Sequence, residues 1–413
     1  MNPLKTLLIT NNLPFPSFKG GDLRNWQNLN GLRGISQVGV FGLYSNGRRR
    51  ENVPLPGLAF WRSWVDPALS YPPPQGQKLA ARGWLLDPLG HPTDLYSDLA
   101  AAELARIVGE FKPQIAVVEG LWLHRYIPIL KGYGCRIVLD SHNVEAKLCE
   151  QLGDDLPAKL VRKILLDRTR IIEHRATHAV DQIWVCSGID ARWMNKLYMP
   201  PASIHVVPNG VDVPSYEDVR TGRCSLPAGI APTRHTLIFP ATFSYAPNAT
   251  AATFLIGKIF PQLARRFPDC QLLLVGILPT PLMLEAAKKD ARIIVTGTVS
   301  NVRPYLAAAS VMVVPLFEGS GTRFKILEAF AAGVPLVSTA KGAEGLAVRD
   351  GVHLLLAERA DEFIDAIQRL WADDNLAKRL TGNGRKLVEQ EYSWGVTGQR
   401  ITQAINELDL RGG

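Results

Sequence analysis

The chain predicts an α/β protein built from two doubly wound domains. Short apolar runs of strand length recur along it with helical patterns between them, which is how parallel sheets are encoded. The runs fall into two sets of six in similar order, and 413 residues is too long for one compact core.

The first set lies at residues 6–10, 37–43, 115–119, 136–140, 183–187 and 204–207. The second lies at 236–240, 271–276, 292–297, 311–315, 335–339 and 352–356. Residues 208–233 open with Pro-Asn-Gly-Val-Asp-Val-Pro and show little periodicity, so they are the expected linker. The expected domains are 1–207 joined by a closing helix at 396–413, and 208–395. Residues 48–92 are the least regular part of the first domain, with Arg48–Arg50, Trp61, Trp64, Tyr71 and Trp84. They read as a long insertion whose aromatics pack on the sheet, with an acceptor- or membrane-facing surface as the alternative.

Composition narrows the function classes. The net charge of +8 suits nucleic acid, an anionic membrane or a phosphorylated substrate, and no nucleic-acid-binding motif is present. No apolar stretch approaches the length of a spanning helix, and no signal peptide is evident. The five cysteines are scattered without metal-binding spacing and read as reduced core thiols. Together these predict a cytoplasmic protein, with peripheral contact at the inner face of the plasma membrane.

The most informative segment is Glu-Gly-Ser-Gly-Thr-Arg-Phe-Lys-Ile-Leu-Glu, residues 318–328. An apolar strand precedes it, and a helix from Thr322 to Gly333 and a second strand follow. Strand, glycine loop and helix form an anion site: Gly319, Ser320, Gly321 and Thr322 bring backbone N–H groups close to a ligand. Arg323 and Lys325 place cations in the first helical turn, where the helix dipole disfavours them unless a diphosphate is bound. Glu328 shares a face with Lys325 and can accept hydrogen bonds from ribose hydroxyls.

Two further sites follow strands. Gly20-Gly21 is expected to form a phosphate-cradling loop before a helix capped by Asp22, with Lys19 and Arg24 nearby. Asp-Ser-His-Asn-Val-Glu at 140–145 stands at the carboxyl end of a strand, where ligands of open α/β sheets bind. His142, Asn143 and Glu145 could hold sugar hydroxyls or pass a proton, or they could only satisfy a tight turn.

These motifs resemble the retaining glycosyltransferases of family 4, in the bacterial branch reading G-S-G-T-R-x-K-I-L-E-A. The Asp-x-His-Asn-x-Glu stretch, the Pro-Asn-Gly-Val-Asp hinge and Trp394 before a final helix resemble the same branch. The resemblance implies the GT-B fold: an acceptor-binding and a donor-binding domain facing across a cleft. It implies a hexosyl transfer from a UDP- or GDP-sugar to a glycan or lipid-linked hydroxyl, in surface polysaccharide or glycoconjugate synthesis. His142 then lies beside the reacting sugar, with Arg323, Lys325 and Glu318 as the other catalytic residues. Gly20, Gly21, Glu328 and the loop of Gly297 and Val299 bind donor, and Asn143 and Glu145 face the acceptor. No cofactor or metal is expected.

The chain departs from the family twice. The family places seven residues between its two glutamates, whereas nine lie between Glu318 and Glu328, and strict spacing lands on Ser320. The loop after the first strand of the second domain, residues 241–248, also lacks the usual cations, leaving Arg323 and Lys325 to replace them. A nucleotide-sugar epimerase and an inactive nucleotide-binding scaffold subunit are the alternatives.

Overall fold

A computed structural model of the chain describes residues 3–11, 20–45, 57–66, 91, 95–151 and 159–408. It divides into two units, residues 1–208 with 397–413, and residues 209–396. The fold is GT-B, with two Rossmann-like units. Lys19, Arg48–Arg50, Tyr71 and Trp84 lie outside the described residues.

The first unit holds a parallel sheet of seven strands: β1 Lys5–Thr10, β2 Gln37–Ser45, β3 Phe60–Asp66, β4 Ile115–Glu119, β5 Arg136–Ser141, β6 Gln182–Val185 and β7 Ser203–Val206. Their spatial order is β3-β2-β1-β4-β5-β6-β7, so the winding reverses between β1 and β4. The central strands are apolar on both faces because helices cover both, and β4 is buried along its whole length. Strand β3 was not expected. It lies in the segment read as an insertion, and its Trp61 and Trp64 pack against the two faces of the sheet.

The first helix, Gly20–Arg33, corrects another expectation. Gly20 and Gly21 are its opening residues, not a loop before it, and Asp22 lies in its first turn, not at its cap. Glycine opens helices poorly on propensity alone. Tertiary bonds hold this one: Arg24 Nη1 donates to Val207 O at 2.8 Å and Gln27 Nε2 donates to Pro208 O at 3.1 Å.

The second unit has a parallel six-stranded sheet: β8 Thr236–Pro240, β9 Gln271–Val275, β10 Ile293–Val295, β11 Val311–Val314, β12 Leu336–Ser338 and β13 Leu355–Leu356. Its order is β10-β9-β8-β11-β12-β13, with the reversal between β8 and β11. The stretch expected to be a linker carries two short helical turns, Val213–Tyr216 and Glu217–Arg220. Val211, Val213, Tyr216 and Val219 are buried in this unit's core. The helix Trp394–Asn406 closes the described chain, and its Ile401, Ala404 and Ile405 enter the core of the first unit.

Candidate active site

In the first unit, polar side chains converge beyond the carboxyl ends of β1, β4 and β5, at the reversal of strand order where such sheets bind ligands. The register pairs Glu119, the last residue of β4, with Asp140 on β5. Arg24 reaches them from the first helix. Its guanidinium is 1% exposed and Asp140 is 0% exposed, so this ion pair is fully buried. Arg24 Nε donates to Asp140 Oδ2 at 2.8 Å, and Nη2 donates to Oδ1. Asn28 Nδ2 donates to Asp140 Oδ2 at 2.9 Å and to Glu119 Oε1 at 3.1 Å.

His142 completes the cluster, with Nε2 3.1 Å from both Glu119 Oε2 and Asp140 Oδ2. Burial pulls the imidazole down, but hydrogen bonds and charge from the two carboxylates outweigh it and hold His142 at about 9. Burial and the charge of Asp140 push Glu119 up, to about 7. Burial also raises Asp140, yet Arg24 and His142 prevail and keep it well below the usual carboxylate range. The two carboxylates thus favour the protonated imidazole, whose Nε2 faces both of them.

Glu145 opens the next helix, Glu145–Gln151, and Asn143 lies in the bend just before it. Asn143 Nδ2 donates to Glu145 Oε1 at 3.4 Å, and burial lifts Glu145 to about 7. Glu173 caps this helix by accepting from the N–H groups of Glu145 at 2.8 Å and Ala146 at 3.1 Å. Ser141 Oγ donates to Asn143 O at 2.6 Å, so the turn is also satisfied internally.

In the second unit the loop 315–323 follows β11, again beside the reversal of strand order. Gly319 has φ of 99°, a conformation that favours glycine, and the ends of the Tyr245 and Arg323 side chains lie close to it. The helix runs Phe324–Ala332, two residues later than expected, with Arg323 at its cap and Gly333 ending it. Arg323 is thus outside the first turn. Its guanidinium folds back to donate to Ser320 O and, at 3.4 Å, to Glu318 O. The Glu318 side chain is exposed. Thr322 is buried, and its Oγ1 accepts from Asn209 Nδ2 at 2.8 Å.

Lys325 and Glu328 point to different partners. Lys325 Nζ donates to Asn248 Oδ1 at 3.2 Å and sits 4.2 Å from the centre of the Phe239 ring. The ammonium therefore lies against β8 and the loop after it, the region whose own sequence lacks a cation. Burial, with help from Arg323, lowers Lys325 to about 7. Glu328 Oε1 accepts from Tyr216 Oη at 2.7 Å, and burial raises its carboxyl above the usual range.

The loop after β9 meets the loop after β10, which holds Gly297 and Val299, both expected to bind donor. Gly276 N donates to Thr296 Oγ1 at 3.3 Å, and Thr296 Oγ1 donates to Gly297 O at 2.9 Å. A Cβ on Gly276 would lie 1.8 Å from Ala241 O, so this loop passes against the end of β8. Val299 packs on the unit's core, as does Tyr305.

Glu119 and Tyr216 escaped the sequence reading. The signal for Glu119 was available, since it and Asp140 are the polar ends of neighbouring apolar strands. Glu119, Asp140 and His142 present donor atoms within 4.8 Å of one another, the arrangement that could hold a metal ion among the described residues. Arg24 supplies a positive charge to the same cluster through its pairing with Asp140.

Glycosyltransferase models match both units: "Glycosyltransferase Family 4" over residues 65–214 and "Glycosyl transferases group 1" over residues 234–373. The chain is of the glycosyltransferase family 4, GT-B type. Among its relatives, a D-inositol 3-phosphate glycosyltransferase of Actinosynnema mirum is 29% identical over 260 residues, 58% of this chain and 61% of that protein. A phosphatidyl-myo-inositol mannosyltransferase of Mycolicibacterium smegmatis is 28% identical over 211 residues, 50% of this chain and 52% of that protein. This family 4 chain thus matches between half and three fifths of those relatives' lengths. Similar solved structures include sucrose-phosphate synthase from Thermosynechococcus elongatus, with TM-score 0.73, 17% identity and 98% of both chains covered. Anabaena Alr3699/HepE in complex with UDP has TM-score 0.65 and 14% identity, over 98% of this chain and 100% of that one.

Proposed function

We propose that the protein is a retaining glycosyltransferase that moves a hexose from a UDP- or GDP-sugar to a hydroxyl of a glycan or lipid-linked acceptor. The observation that carries this reading is the loop and helix after β11, which present Lys325 and Glu328 from the stretch matched by the group 1 model. The same fold in Alr3699/HepE is named as binding UDP and UDP-glucose, and the relatives' names give inositol phosphate and phosphatidyl-inositol as acceptors. Surface polysaccharide or glycoconjugate synthesis is the setting that fits such acceptors. No helix among the described residues is long and apolar enough to cross a membrane. The basic charge of the chain supports peripheral contact with an anionic surface.

In this reading the backbone N–H groups of residues 319–322 and the Lys325 ammonium meet the diphosphate, while Glu328 accepts from ribose. Negative charge grows on the leaving diphosphate as the glycosidic bond breaks, and Lys325 is the cation placed to meet it. Arg323 holds the loop in shape through the carbonyls of Ser320 and Glu318. His142, charged by its carboxylate partners, donates to the donor sugar. The leaving phosphate oxygen, not His142, takes the acceptor proton. Asn143 and Glu145 contact the acceptor.

A thermal-shift screen of UDP- and GDP-sugars tests the donor class. A true donor at 100 times its Kd should stabilise the fold by about 2.7 kcal/mol. Release of UDP or GDP with a new glycoside should follow, and conversion of donor alone into an epimer would overturn the transferase reading. Turnover should survive excess EDTA, since side chains and backbone N–H groups meet the phosphate charge. Abolition by EDTA with restoration by Mg²⁺ or Mn²⁺ would overturn the metal-free mechanism.

A further inference from the structure

Glu328 stands three residues after Lys325 on one helix, yet the two do not pair. Lys325 is drawn to Asn248 and the Phe239 ring. Tyr216 sets the orientation of Glu328 instead, through the 2.7 Å bond from its hydroxyl to Oε1. Among the described residues no other group donates to this carboxylate. Tyr216 is 8% exposed and ends the short helix Val213–Tyr216, whose Val213 is also buried in the core. A buried phenol anchored in this way has little freedom, so the carboxylate it grips loses rotamer freedom before any ligand arrives.

We infer that Tyr216 is a positioning residue for the donor: it fixes one oxygen of Glu328 and turns the other toward the ribose hydroxyls. The inference rests on the reading of Glu328 as the ribose acceptor and adds the group that aims it. A second bond ties the same stretch of chain to the donor loop, since Asn209 donates to Thr322. Residues 209–216 thus brace the loop at one end and the helix at the other. Neither contact was visible from spacing, because Tyr216 and Glu328 are 112 positions apart.

The bland alternative is that Tyr216 merely satisfies its own hydroxyl, as buried tyrosines do. Tyr216→Phe separates the two, since it removes one oxygen and leaves the ring in the core. Binding of UDP and GDP is measured by calorimetry from acidic to neutral pH, with Glu328→Ala alongside. Positioning predicts that Tyr216→Phe weakens nucleotide binding by about 3- to 10-fold, the worth of ordering one flexible side chain on binding. At saturating donor, kcat should be unchanged.

The pH dependence adds a readout that a core role would not move. Tyr216 and Lys325 both favour the ionised form of Glu328 against the burial that opposes it, and Arg303 and Asp212 stand near the phenol. Without the hydroxyl the carboxyl titrates higher, so the loss of affinity on acidification should begin at higher pH. If Glu328→Ala weakens binding while Tyr216→Phe binds with wild-type affinity and pH profile, the inference fails and the ribose reading stands. If Glu328→Ala binds UDP and GDP like wild type, both fail. Should Tyr216→Phe not fold, Glu328→Gln carries the test. Tyr216 would hold its amide oxygen and leave an NH₂ facing the ribose, so binding should weaken and the acidic limb vanish. Wild-type affinity in that variant would overturn the inference.

Discussion

Lys325→Met should lower kcat by on the order of 10²-fold while leaving the melting temperature unchanged or raised. The substrate already carries phosphate charge, but more develops on the leaving oxygen only as the bond to the sugar breaks. A cation aimed there acts mainly on the transition state. The effect on folding has the opposite sense. Burial holds Lys325 at about 7, below the ordinary lysine value, so at neutral pH the unfolded chain binds more protons at this site than the folded chain. The charged form is therefore a burden on stability that eases as pH rises from about 7 towards the unfolded value. Methionine packs over Phe239 without that burden.

Binding should show the linked effect. A diphosphate favours the ammonium, so donor affinity is greatest at or below about pH 7 and declines as pH rises through the alkaline range. Donor KM measured across this range in wild type and Lys325→Met checks the argument, because the variant should lack the decline. A variant with wild-type kcat would assign the diphosphate to another group, with Arg323 the nearest candidate.

Arg24→Met should destabilise the first unit by roughly 3–5 kcal/mol, the usual result of stripping one partner from a buried ion pair. Asp140 would keep Asn28 and His142 but lose the guanidinium that spans both its oxygens. The pH dependence has a definite sign. Asp140 titrates below its unfolded value, so its pairing stabilises fully above about pH 4 and is lost as pH falls. The gap between wild type and Arg24→Met should therefore narrow in acid. Combining Arg24→Met with Asp140→Asn should recover part of the loss, since no unpaired buried charge then remains. Denaturant unfolding of wild type and the two variants at neutral and acidic pH reads all of this, and an effect of Arg24→Met below about 1 kcal/mol would mark the pair as replaceable.

What could be read in advance divides along physical lines. The apolar strands were legible because strands buried on both faces are continuous apolar runs, and the GT-B architecture follows from their two similar sets. The helix that carries Lys325 and Glu328 was legible because apolar periodicity and Gly333 mark it locally. Strand β3 was missed because Phe-Trp-Arg-Ser-Trp-Val-Asp lies at a sheet edge inside a stretch rich in proline and arginine. The glycines at 20 and 21 were misread because their helix is held by bonds to Val207 and Pro208, which no local pattern announces. Glu119 and Tyr216 act through partners 23 and 112 positions away, respectively, pairings that no local spacing fixes.

The closing helix has a consequence for the order in which the molecule is made. Ile401, Ala404 and Ile405 pack among Leu8, Leu29 and Trp184, and Gln182 Nε2 donates to Ala404 O at 2.8 Å. The 188 residues 209–396 separate this helix from the rest of its unit, and they form a unit of their own. At ordinary elongation rates of about 5–20 residues per second, the ribosome needs on the order of 10–40 s to cross them. Throughout that interval the core around Leu8, Leu29 and Trp184 lacks the part that Ile401, Ala404 and Ile405 supply. The half that emerges first is therefore the half completed last.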